Sequence, residues 1–198
     1  TERARYRLRI TTLWDDVDEE LMPMVQIASS DGEFVGDGSS GTYRVTASIM
    51  SREADPWCGC ESYEDILFKA SPSRKEAKLQ FSSPTLVEGP GGALPFPDPL
   101  LVFQCYLTNW TEFSNLPLDG AREALDSIEV VDFRISPEGH IVERGRKILG
   151  FVGWCCFRLK GRHPESVIRA FNVLADYSFY CGSGLMTDMG MGQTRRLR

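Results

Sequence analysis

Cys181 to Gln193 reads C-G-S-G-L-M-T-D-M-G-M-G-Q, with Gly182, Gly184, Gly190 and Gly192 standing in two G-x-G pairs around Thr187. Glycine at that density lets the backbone take positive φ and approach a partner closely, which predicts a loop with exposed amides and little side-chain bulk. Working upstream, Val167, Ile168, Phe171, Leu174 and Ala175 keep helical spacing, Pro164 suits a first helical position and Glu165 favours the positive end of the dipole. Gly182 then fits a C-terminal cap. A glycine loop at the end of a helix is neither a P-loop nor a Rossmann turn, because those cradle phosphates at helix N-termini and Lys-Ser/Thr is missing here. Downstream, a strand from about Gly190 to Leu197 carries Arg195 and Arg196, with Arg198 closing the chain.

A chain of 198 residues, 42% apolar and 11% aromatic, has enough material for a packed core in one large or two small domains. No run is long enough to cross a bilayer, and T-E-R-A-R-Y-R-L-R-I at the start lacks the apolar core of a signal peptide, so a cytoplasmic, membrane-free protein is expected. Six cysteines and two histidines are present. Cys58 and Cys60 are separated by one residue and Cys155 and Cys156 are adjacent, spacings that match no common zinc site and predict reduced, mostly buried thiols without a metal or cofactor. Net charge is −6, divided unevenly: Thr1 to Glu138 holds 12 Lys+Arg against 24 Asp+Glu, a balance of −12, and Gly139 to Arg198 holds 10 against 4, a balance of +6. A segregated basic region containing the glycine loop is the footprint of an RNA-binding surface.

Taken from the start, Tyr6, Leu8 and Ile10 alternate with arginines and predict a first strand. A helix capped by Asp15 or Asp16 is expected to run to about Ala28, and Tyr43, Val45, Ala47 and Ile49 predict a second strand. A short helix over Tyr63 to Ala70 and a strand through Ala77, Leu79 and Phe81 follow, then a loop with four prolines and three glycines over Gly89 to Pro99. Asp98 and Pro99 start a helix whose stripe of Leu100, Phe103, Leu107, Trp110 and Phe113 reads as core. Ile128 to Ile135 predicts a strand turning at Pro137-Glu138-Gly139. Its partner, Ile148 to Lys160, lies beyond the charged tip Arg144, Arg146 and Lys147, and Gly150 and Gly153 within it predict a bulge or a close backbone contact.

Four local patterns occur in order: R-L-R-I-T-T-L at Arg7 to Leu13, F-S-S-P-T at Phe81 to Thr85, P-F-P-D-P at Pro95 to Pro99 followed by Leu101-Val102-Phe103 and Trp110, and G-F-V-G at Gly150 to Gly153. With the glycine loop they resemble the C-terminal part of the CRISPR-associated endoribonucleases that process precursor CRISPR RNA, members of the repeat-associated mysterious protein (RAMP) superfamily. The resemblance implies an α+β, ferredoxin-like β-α-β-β-α-β domain with an antiparallel sheet, here spanning residues 1–198 with an insertion about 51–120. It implies that sheet and loop hold repeat RNA, and that cleavage is metal-independent, by 2′-hydroxyl attack giving a 2′,3′-cyclic phosphate. The family's usual catalytic histidine lies in an N-terminal ferredoxin-like half expected to precede Thr1, so the catalytic residues are unassigned.

The family's loop commonly carries a basic residue just before the threonine, where this chain has Leu185 and Met186, and Asp188 follows Thr187. RNA contact is therefore expected from the backbone of Gly182, Gly184, Gly190 and Gly192, from Thr187, and from the cations Arg144, Arg146, Lys147, Arg195 and Arg196. His140 on a turn is read as exposed and His163 before Pro164 as framing the helix start, neither as catalytic. The expected partner is CRISPR repeat RNA; an N-terminal half, other CRISPR-associated proteins and a homodimer are the protein partners left open. Two rival readings are a non-catalytic RAMP subunit holding guide RNA in an interference complex and a protein-interaction domain without RNA.

Overall fold

The computed structural model describes residues 8–14, 17, 19–20, 23, 34–35, 42–43, 47–141, 145 and 147–197, in two compact units, Thr1–Glu61 and Ser62–Arg198. In the first unit, β1 (Phe34–Val35) pairs antiparallel with β2 (Thr42–Tyr43). Arg9 donates from Nε to the Trp57 carbonyl at 2.9 Å and lies 5.7 Å from the centroid of that indole. The predicted first strand is not formed at Leu8–Ile10, and Ala47–Ile49 continue no strand, whereas Val17, Glu19, Glu20 and Pro23 are helical. Tyr6, Val45 and the rest of the helix predicted to Ala28 lie outside the described residues.

The second unit contains α1 (Tyr63–Lys69), β3 (Glu76–Thr85), β4 (Val87–Gly89), β5 (Gly92–Leu94), α2 (Pro99–Phe113), α3 (Ala121–Ser127), β6 (Ile128–Ile141), β7 (Lys147–Leu159), α4 (Glu165–Cys181), a 3-10 turn (Thr187–Met189) and β8 (Thr194–Leu197). β3, α2, β6, β7, α4 and β8 make the β-α-β-β-α-β series, and the antiparallel sheet runs β6-β7-β3-β8. This is the ferredoxin-like order. The motif thus begins at Glu76, and the segment expected as an insertion supplies its first strand and first helix. Leu8 and Ile10 flanking Arg9 share a strand's alternation without forming one, and periodicity alone does not say which strand opens a motif.

Local chemistry sets the elements. The Asp98 carboxylate accepts from the Leu101 amide at 3.0 Å and Pro99 opens α2. Pro164 stands one place earlier than expected, as the N-cap of α4. Ala77, Leu79 and Phe81 of β3 and Phe151, Cys155, Phe157 and Leu159 of β7 point under the helices and are buried. Phe103, with no exposed surface, stacks on Phe171 at 5.3 Å and meets Tyr106 and Phe157 edge-on at 5.4 and 5.2 Å. Burying such a ring contributes about 2 kcal/mol. Phe103 and Trp110 of the α2 stripe are core as expected; Leu100 is exposed, because Val102 and Tyr106 turn the buried face away from it.

Three further differences concern connections. β6 runs through the expected turn at Pro137 to Ile141, since an edge strand tolerates a residue that cannot donate to a ladder. α3 was not anticipated, and the proline-rich loop opens as the turn and second strand of the β4-β5 hairpin. Opposite Gly150–Gly153 the register of β3 shifts between Phe81 and Thr85, so F-S-S-P-T is the bulge and G-F-V-G its close partner. A Cβ on Gly150 would lie 2.8 Å from the Thr85 amide nitrogen.

Candidate nucleic-acid interface

The glycine loop is rigid at its base. Gly182 caps α4 with φ 70°, its amide donating to the Ser178 carbonyl at 3.1 Å. Ser183 donates to the Gly192 carbonyl at 2.8 Å, closing a neck, and Leu185 donates to the Leu86 carbonyl at 2.7 Å. Gly192 donates to the Pro84 carbonyl at 3.0 Å and Gln193 to Ser83 Oγ at 2.9 Å, so the loop is tied to the β3 bulge. Gly184 and Gly192 have φ of 77° and 67°, and a Cβ on either would run into a carbonyl oxygen, of Leu86 and Ser183 respectively. These glycines are demanded by packing against protein.

The expectation of a freely exposed row of amides is therefore corrected. Amides of Gly182, Ser183, Gly184, Leu185, Met189, Gly190, Met191, Gly192 and Gln193 all have acceptors within the protein. Only the tip differs: Thr187, Asp188, Met189 and Gly190 are exposed, Met186 takes a left-handed φ of 59°, and the amides of Met186, Thr187 and Asp188 are left for an outside acceptor. Space around Gly190 is open.

The predicted cations separate. Arg196 is structural: its guanidinium reaches both Asp176 carboxylate oxygens at 3.2 Å, Asn172 Oδ1 at 2.6 Å and the Glu76 carbonyl at 3.1 Å, with its side chain 9% exposed. Arg195 points to the opposite face and donates to Gln80 Oε1 at 2.8 Å. Lys147 is exposed and, by strand alternation, shares the side of Phe151 and Cys155, where the helices and the loop also lie. Arg144 and Arg146 lie outside the described residues.

The face of the sheet turned away from the helices holds a feature the sequence reading missed. Register places Arg195 of β8 beside Gln80 of β3, Gln80 beside Trp154 of β7, and Trp154 beside Arg134 of β6, so one row crosses all four strands. Lys78, one step along β3, sets its ammonium 3.4 Å from the centre of the Trp154 ring. Arg134 is exposed. The row carries two guanidiniums, an amide and an indole without a carboxylate. Farther along, Arg158 is occupied by Glu76 at 3.5 Å and Glu129 at 3.0 Å. Each strand shows a polar or aromatic residue at an alternate position, but only the register of the four strands makes those residues neighbours.

Neither histidine stands out as a catalyst. His163 meets Glu123 Oε1 at 3.1 Å through Nδ1 and the Lys160 carbonyl at 2.7 Å through Nε2, joining α3, the end of β7 and the start of α4. His140 is half-buried on β6, two alternations beyond Ser136 on the face of Arg134. All six cysteines are free thiols, and burial pushes Cys155 up to about 12. Among the described residues no group of His, Cys, Asp and Glu is arranged to hold a metal, and no helix is long and apolar enough to cross a membrane.

No curated protein sequence matches the chain. Among solved structures it is similar to the product complex of Cas6 (TTHB231), a Thermus thermophilus protein, with 28% identity and a TM-score of 0.80 over 94% of this chain and 73% of that one. It is also similar to Cas6 (TTHA0078) as a product complex, with 26% identity and a TM-score of 0.80 over 93% and 74% of the two chains. For the TTHA0078 substrate mimic complex the values are 27% and 0.78 over 92% and 76%. The family model described as CRISPR-associated endoribonuclease Cas6 matches residues 79–194, from the middle of β3 into β8 and so across the ferredoxin-like unit, and the chain belongs to that family.

Proposed function

We propose that this chain binds CRISPR repeat RNA with two surfaces of its ferredoxin-like unit and takes part in cutting the precursor transcript. The observation that carries the reading is the row Arg195, Gln80, Trp154 and Arg134 across the open sheet face. An indole beside cations suits single-stranded RNA, because any base can stack on it, for about 1–3 kcal/mol, while guanidiniums meet the phosphates. On the helix side the loop tip, with the amides of Met186, Thr187 and Asp188 and the Thr187 hydroxyl, and the ammonium of Lys147 supply further contacts. Arg144 and Arg146 join them in this reading. Asp188 limits what the tip alone contributes, since a carboxylate beside a phosphodiester opposes binding.

Similar Cas6 proteins form product and substrate mimic complexes, which supports a site for RNA here. In the cleavage we infer, a 2′-oxygen attacks the adjacent phosphorus while the bond to the 5′-oxygen breaks, leaving a 2′,3′-cyclic phosphate and a 5′-hydroxyl. The step requires a base for the 2′-proton, an acid for the leaving oxygen and positive charge near the phosphorane. We assign none of these roles to a described residue. End-labelled repeat RNA incubated with the chain in EDTA tests the reading: cyclic-phosphate product identifies a chain that cuts by itself, and retention without cutting identifies an RNA-holding part. Absence of retardation at low salt refutes it.

A further inference from the structure

The hydroxyls buried beneath the loop take no part in the RNA contacts just described. Tyr106 of α2, Ser183 and Thr194 are each 0% exposed. The Tyr106 phenol oxygen lies 2.5 Å from Ser183 Oγ, Ser183 Oγ lies 2.6 Å from Thr194 Oγ1, and Thr194 donates to the Gly192 carbonyl at 2.9 Å. A carbonyl only accepts, so the direction of the chain is fixed. Thr194 gives its proton to Gly192 and accepts from Ser183, and Ser183 in turn accepts from Tyr106. Burial holds the Tyr106 phenol well above its ordinary pKa, which keeps it a donor.

The chain ends where the loop closes. The Gly192 carbonyl also accepts the Ser183 amide at 2.8 Å, so one oxygen gathers both ties across the neck. A polar chain without access to water has few satisfied arrangements, and breaking one member leaves a buried group unpaired. An apolar contact at the same place would exclude water without selecting one arrangement. Met186, held at a left-handed φ of 59°, lies at the tip that this neck supports.

We propose that Tyr106 is a positioning residue for RNA binding: by donating to Ser183, and through it to Thr194 and the Gly192 carbonyl, it holds the glycine loop in the single conformation that RNA meets. This rests on the RNA-binding reading above. The residue touches no RNA itself, and its effect passes through the neck to the tip.

The test uses the full chain, Tyr106→Phe and Thr194→Val, with amide hydrogen exchange over residues 184–191 and repeat-RNA affinity measured across a range of salt. Loss of one buried hydrogen bond is expected to speed exchange at the tip about fivefold while α4 keeps its protection. Affinity is expected to fall about three- to tenfold with an unchanged salt slope, because no phosphate contact is removed. Faster exchange with affinity within about twofold of the unmodified chain overturns the proposal, and so does unchanged exchange. Should Tyr106→Phe lose its cooperative melt, Thr194→Val and Ser183→Ala interrupt the same chain and are judged by the same readouts. If the unmodified chain retains no RNA, the binding reading fails and carries this proposal with it, whereas an unaltered affinity in the variants sinks this proposal alone.

Discussion

Replacing Arg196 with methionine separates a structural arginine from an RNA contact. The methionine keeps most of the apolar stem and removes four hydrogen bonds, two to Asp176, one to Asn172 and one to the Glu76 carbonyl. Asp176 is 42% exposed, so water recovers most of that ion pair and it counts for little. Asn172 is different. It is fully buried, its amide nitrogen is already bound to the carbonyls of Ser71, Arg74 and Ile168 at 2.7–2.9 Å, and its Oδ1 accepts from Arg196 at 2.6 Å. An unpaired buried oxygen costs about 1–3 kcal/mol, and with the lost Glu76 contact the total is about 2–3 kcal/mol. Urea unfolding followed by circular dichroism is expected to show a midpoint lower by about 1 M. RNA affinity measured well below the midpoint is expected to keep its salt slope. A midpoint within about 0.3 M of the unmodified chain, together with a slope reduced by about one charge, refutes the reasoning.

Trp154→Ala is expected to weaken single-stranded repeat RNA binding by about 1–3 kcal/mol and to abolish any quenching of tryptophan fluorescence by RNA at that position. Lys147→Ala, at an exposed site, is expected to leave the urea midpoint unchanged and to lower the salt slope of RNA binding by about one. Gly192→Ala combines a φ of 67° with a Cβ against the Ser183 carbonyl and is expected to cost about 1–3 kcal/mol, read as a lower melting temperature with rapid exchange over the loop. Cys155 has a folded pKa raised by burial from 9.0 to about 12, so its contribution is complete below pH 9 and is lost as pH rises from 9 to 12. Cys155→Ala is expected to flatten that alkaline decline in urea midpoints, and an identical decline in both proteins contradicts the assignment.

α2, β7 and α4 were legible because their signals are local: a cap at Asp98, the run Ile148 to Lys160 between a charged tip and Gly161, and helical spacing after Pro164, whereas the ferredoxin-like class rested on the resemblance alone. Order along the chain was legible while role was not, as β3 shows, recognised as a strand but not as the opening one. Pro137 was taken for a turn because a proline's tolerance depends on whether its strand lies at an edge, which only pairing decides. The glycines were read as an invitation to a ligand, yet Gly184 and Gly192 are required by carbonyls 98 and nine residues away in sequence. The Trp154 row was hidden for the same reason, since its four members become neighbours only through the register of four strands.

The ties from the loop to Pro84, Ser83 and Leu86 set when this surface comes into being. Those bonds span about a hundred residues, so the full set forms only once the chain through Gln193, at the edge of β8, has been made and has reached β3. Contacts of such long separation are made late in folding. A ribosome-bound chain, with α2 and β6 already emerged, still lacks an ordered loop, and the capacity to present it to RNA arises with completion of the sheet.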